Sequence, residues 1–236
     1  MKRTAIFAAL LFAFAGTALA ELHGSWTAST NESKTGRLHM NINRGASHNF
    51  GNSFDVADFT ALTDAQVRSS MTTPVRFQLV REGGTVVFEG TFRNGDGAGQ
   101  WTFNGDRGYI AAVRALGVPF DLENEREGEE ADLFTVALLD VSTSYIKSMQ
   151  AIGYRESLEQ YLSMRIFHVT PELVRELRDL RYDNISAEDL IAMRIHRVTP
   201  EYIRELKAAG YTKIPVEKLI EMKIHRIDAK FIEKMN

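Results

Sequence analysis

The chain has no cysteine among its 236 residues. That excludes disulfides, thiolate metal ligands, a thiol nucleophile and a lipid-anchoring cysteine. Stability must then come from packing, which a chain of this length can supply. Proline is scarce, at five positions. No apolar stretch of about 18 residues follows the N-terminal segment, so no membrane span is expected in the mature chain. The HExxH pair, the Walker loop, the dinucleotide fingerprint and G-x-S-x-G are all missing. No catalytic residue, metal ligand or cofactor is therefore assigned, and an enzyme is not expected. Charge of one sign is weak as well. The formal net charge is −3, which argues against a general nucleic-acid binder.

What is present begins with a secretory signal peptide over residues 1–20. Lys2 and Arg3 precede an apolar core at residues 5–15, and Ala18-Leu19-Ala20 supplies small residues for cleavage. The product is expected to be periplasmic or secreted. Removing Lys2 and Arg3 takes the net charge to −5.

Residues 21–106 have period two. Leu38, Met40 and Ile42 alternate with His39, Asn41 and Asn43, and Val75, Phe77 and Leu79 alternate with Arg76 and Gln78. Gly83-Gly84, Asn94-Gly95 and Asp96-Gly97 read as turns between strands. The glycine-rich NGDGAG at residues 94–99 is a hairpin turn by this reading, not a phosphate cradle. A strand surrounds Trp26, and another carries Trp101 and Phe103. Thr63-x-x-Gln66 can start one short helix. The expectation is an antiparallel β-sheet or small sandwich. Trp26 and Trp101 serve either its core or, if exposed, a sugar-stacking platform.

Residues 107–236 repeat themselves. Leu173, Tyr202 and Phe231 are 29 residues apart in turn, and Tyr145 precedes Leu173 by 28. Each copy holds two short helices. In the copy at Thr199, Thr199 is an N-cap, Pro200 suits the first helical position, and Gly210 stops the helix. Tyr202, Ile203, Leu206 and Ala209 share one arc. Ser157-x-x-Gln160 and Ser186-x-x-Asp189 open the second helices as capping boxes, and Pro215 takes that place once. Leu190, Ile191, Met193, Ile195 and Val198 form the apolar side there. An earlier copy begins at Tyr109, capped by Asp106, with an insertion of about seven residues in the acidic segment 121–130. The repeats run at about 109–144, 145–172, 173–201 and 202–230, with a half-repeat cap at 231–236. Units of this kind bury their apolar faces only by stacking. The fold class is thus α+β, an N-terminal antiparallel sheet followed by a C-terminal array of two-helix repeats.

Two basic rows run through the array. Arg165, Arg194 and Lys223 fall inside the apolar arc and read as structural, tying adjacent repeats. His168, Arg197 and Arg226 lie past the helix ends. They are the candidate binding residues, with compensation of helix dipoles as the competing role. His196 and His225 recur where Phe167 also stands, which is incompatible with metal ligation.

The repeat YIRELKAAGY with LIEMKIHR resembles tandem repeats in uncharacterised secreted bacterial proteins. It is similar to repeats appended to membrane metallopeptidases of the beta-lactam-sensor type. The stretch VRFQLVREGGTVVFEGTFRNGDGAGQWTF looks like the domain that precedes such repeats. Peptidase activity does not carry over, since HExxH and the membrane helices are missing. The family pattern has glycine where Arg197 and Arg226 stand. The expected function is a non-catalytic cell-envelope or secreted interaction module that meets an acidic protein partner. A glycan-binding or hydrolytic envelope protein using the β domain is the alternative.

Overall fold

The computed structural model describes residues 22–30, 37–45, 48–122 and 128–228. The expected signal peptide at 1–20, residues 123–127 of the acidic insertion and the expected cap at 231–236 lie outside the described residues.

Strands β1 (Leu22–Ser29), β2 (Leu38–Arg44) and β3 (His48–Phe54) form one antiparallel meander. A second meander holds β4 (Thr73–Arg81), β5 (Gly84–Arg93) and β6 (Asp96–Gly105). They join through β1 and β6 into one six-stranded sheet of order β3-β2-β1-β6-β5-β4. The sandwich option therefore fails: a single sheet buries one face, and helices cover it instead of a second sheet. Alternation along β2 and β4 sends Met40, Ile42, Phe77 and Leu79 into that face. β3 was not foreseen, because its sequence HNFGNSF has no apolar alternation over most of its length. Turn residues also differ. The chain turns at Glu82-Gly83 and at Asn94-Gly95, while Gly84, Asp96 and Gly97 already pair within strands.

The two indoles tie strands together across the sheet. Trp26 donates from Nε1 to the carbonyls of Glu89 and Gln100, at 3.2 and 3.1 Å. Trp101 donates to the carbonyls of Ser25 and Asn43, at 3.1 and 3.2 Å. Glycine permits this approach. A Cβ on Gly99 would come within 1.9 Å of the Glu89 oxygen, and one on Gly24 within 2.0 Å of the Asn43 oxygen. Both tryptophans are 1% exposed, so they serve the core and neither is open for a sugar to stack on.

A short helix α1 (Asp64–Val67) is closed by the expected capping box of Thr63 and Gln66. Just before it, Phe59 lays its ring 5.2 Å from Phe77 and 5.4 Å from Phe54. Helix α2 (Arg107–Ala115) begins directly after β6, capped by Asp106. Helix α3 (Glu129–Leu138) then returns onto the sheet, where Phe134 stacks on Trp101 at 4.5 Å. Glu129 and Glu130 of the acidic segment belong to this helix, and Glu130 accepts from the Gly105 amide at 2.8 Å. One continuous core thus runs from Trp26 through Phe134 to Leu219.

Six further helices follow: α4 (Thr143–Ala151), α5 (Leu158–Ile166), α6 (Pro171–Asp179), α7 (Ala187–Ile195), α8 (Pro200–Ala208) and α9 (Val216–Ile224). The caps expected at Ser157, Ser186 and Thr199 all accept backbone N–H groups, and Thr170 does the same for α6. Contacts run α2 to α4, α6 to α8, α5 to α7 and α7 to α9. Among the described residues no helix is long and apolar enough to cross a membrane.

Side chains tie these helices end to end. Arg165 Nε donates to the carbonyl of Leu139, the C-cap of α3, at 3.0 Å. Arg194 Nε donates likewise to Phe167, the C-cap of α5, at 2.8 Å. Gln150, Arg178 and Lys207 do the same for the C-caps of α2, α4 and α6 at Leu116, Ile152 and Leu180. Each bond satisfies a carbonyl that a helix end leaves without a partner. Lys223 departs from the pattern and sits 3.8 Å from the centre of the Tyr202 ring. Tyrosines add a parallel set. The hydroxyls of Tyr109, Tyr145 and Tyr202 donate to Val141, Val169 and Ile227, and those of Tyr154 and Tyr182 to Ile185 and Ile214.

Candidate functional site

His168, Arg197 and Arg226 hold the same place at the ends of α5, α7 and α9. Each is left-handed, with φ of 54°, 57° and 57°. The cause is the way these helices stop. The N–H of the next residue reaches back to the carbonyl of Met164, Met193 or Met222 at 2.8 Å. The N–H of His168, Arg197 or Arg226 itself bonds Arg165, Arg194 or Lys223. This pair of bonds requires a left-handed residue between them, a place that usually goes to glycine. Helices α2, α4 and α8 do use glycine there, at Gly117, Gly153 and Gly210.

All three side chains are exposed. Among the described residues Arg197 and Arg226 make no ion pair and no side-chain hydrogen bond. His168 differs from them. Burial of its ring lowers its pKa below the ordinary histidine value, and the charges of Arg194, Arg165 and Arg37 lower it further. The residue as a whole stays exposed, so this is a local effect at the wall of a cleft. His168 is neutral at pH 7, and the cationic row consists of Arg197 and Arg226.

A fourth position, which the sequence reading missed, precedes them. Asp140 ends α3 with φ of 52°. It is the hub of an ion-pair cluster, with Arg165 at 3.2 Å and Arg81 at 3.5 Å, and Arg81 also meets Asp58 at 3.4 Å. These groups and the Arg37–Asp55 pair line a cleft of about 370 Å³ between β3 and the ends of α3 and α5. Phe50, Phe54, Leu138, Ile166 and His168 are also among its walls. Positive and negative groups balance there, so the cleft itself selects no single charge.

Beside the row stand Ile166, Ile195 and Ile224, 50%, 50% and 55% exposed. Ile195 was expected on the apolar side with Leu190 and Met193. It sits about 140° from Leu190 at 100° per residue, so it turns out to solvent at the helix end. The 29-residue spacing of these isoleucines was the available signal.

Among the described residues no group of three or more histidine, aspartate and glutamate side chains could hold a metal ion. No protein-family model matches this chain, and neither curated proteins nor solved structures give a match to it.

Proposed function

We propose that this chain is a non-catalytic interaction module of the cell envelope or of secreted origin. In this reading residues 107–236 form a stack of two-helix repeats, and the edge at His168, Arg197 and Arg226 meets an acidic protein partner. One observation carries the proposal. The ends of α5, α7 and α9 all place an exposed, non-glycine side chain on left-handed backbone, where glycine is the unstrained choice. A residue other than glycine costs about 1–2 kcal/mol at such a position. Strain kept at consecutive exposed positions fits a surface retained for contact.

Charge supports the acidic class of partner. From Tyr145 onward the chain has sixteen basic and fourteen acidic residues, while the chain as a whole is at −3. A locally basic edge on an acidic protein orients an incoming anionic surface. The side-chain ties between helix ends, spaced like the sequence repeat, support the stacking.

The experiment is the double change Arg197→Glu with Arg226→Glu. Capture of partner from native envelope should fall, the melting temperature should move little, and capture by the unchanged protein should weaken with salt. Capture that survives both charge reversal and salt overturns the reading. Loss of fold together with capture assigns the row to helix-end stabilisation instead.

A further inference from the structure

We propose that Ile166, Ile195 and Ile224, with Arg197 and Arg226 beside them, form a docking strip for a polypeptide segment combining carboxylates with aliphatic side chains. The inference rests on the acidic-partner reading and adds its apolar half. Single exposed isoleucines need no explanation. Three at the same place on α5, α7 and α9, which contact one another in succession, make a patch along one edge.

The chain itself shows what covers such a place. At the end of α3 the corresponding pair is Leu138 and Asp140. Leu138 is 4% exposed and faces the cleft walled by Phe50 and Phe54 of β3. Asp140 meets Arg81 at the end of β4. The first position is thus closed by polypeptide, through an aliphatic contact and an ion pair of opposite charge. Among the described residues the strip continues that interface outward without a cover. Ile166 and His168 line both the cleft and the strip, so the two surfaces are continuous. The sign of the charge inverts along it, from Asp140 to Arg197 and Arg226. A segment covering the later positions therefore carries carboxylates where β4 supplies Arg81.

The probe is a labelled twelve-residue peptide of alternating leucine and glutamate, titrated by fluorescence anisotropy into the mature chain. Peptides alternating alanine with glutamate and leucine with lysine are the controls. The leucine–glutamate peptide should bind saturably, about tenfold tighter than the alanine–glutamate peptide, and the lysine peptide should not bind. Ile195→Ser with Ile224→Ser should remove that preference at an unchanged melting temperature, since both side chains are half exposed. No saturable binding of the leucine–glutamate peptide overturns the strip. Equal binding of both glutamate peptides, abolished by Arg197→Glu with Arg226→Glu, overturns the strip and leaves the acidic-partner reading standing. Two other results also overturn it. Self-association in sedimentation velocity that the serine variant abolishes assigns the strip to a second copy. Flotation with phosphatidylglycerol vesicles that the same variant abolishes assigns it to a membrane.

Discussion

Arg165 of α5 reaches back 26 residues to close α3, two helices earlier, donating from Nε to the Leu139 carbonyl at 3.0 Å. The same guanidinium meets Asp140 at 3.2 Å and lies 5.1 Å from the centre of the Tyr145 ring. A cation inside an apolar arc is thereby satisfied by a helix-end carbonyl, a carboxylate and an aromatic face. Its stem covers apolar surface on the way.

The equivalent bond from α7 gives a direct stability prediction. Arg194→Ala removes the donor to Phe167 and should cost about 1.5–3 kcal/mol, the range for hydrogen bonds to charged groups. Arg204 pairs with Glu176 and Glu201 at 3.1 and 3.0 Å, but in the open. Arg204→Ala should cost less than Arg194→Ala, because a solvent-exposed ion pair is screened. Urea unfolding of both variants compares them. Equal losses would mean that the tie to Phe167 contributes no more than a surface ion pair.

Arg181 stands where the ends of α2, α4 and α8 have glycine, and its φ is 69°. Arg181→Gly should therefore stabilise the protein by about 1 kcal/mol. For a chain of this size that is a rise of roughly 2–4 °C in melting temperature. A fall would show that the Arg181 side chain makes contacts worth more than the strain it causes.

Much of this was legible because the determinants are local. Thr199-Pro200, Ser186 and Thr63-x-x-Gln66 mark helix starts with chemistry that needs no tertiary context. Alternation around Met40 and Phe77 marks strands in the same way. β3 was invisible because an edge strand buries little, so HNFGNSF has no pattern to read. The cleft was invisible because Arg37 before β2, Asp58 after β3, Arg81 at the end of β4 and Asp140 after α3 come together only in the folded chain. The exposure of Ile195 was hidden by its company: five apolar residues close in sequence look like one face, although a helix end turns one of them outward. The lowered pKa of His168 depends first on burial of its ring and then on Arg194, Arg165 and Arg37, neighbours that the sequence does not place side by side.

That lowered pKa sets a pH dependence. The pKa of His168 is lowered by burial of the ring and by three neighbouring guanidinium groups. In the unfolded chain it protonates near its ordinary value of about 6.5. The folded chain resists protonation until a lower pH. Its contribution to stability is thus present above about pH 6.5 and is lost as pH falls through the folded value. His168→Asn keeps a residue tolerant of left-handed backbone and removes the titration. Its melting temperature should fall less steeply than that of the unchanged protein below pH 6.5. Identical slopes would mean that His168 titrates freely.

The claim at the centre is that Arg197 and Arg226 sit in strained backbone because their side chains make contact with a partner. Replacing both by glycine separates the two quantities. The account predicts that Arg197→Gly with Arg226→Gly raises the melting temperature, by relief of about 1 kcal/mol at each site, while capture of the acidic partner falls. A higher melting temperature with capture unchanged would contradict it, and so would a lower melting temperature, which would make the two arginines part of the helix ends alone.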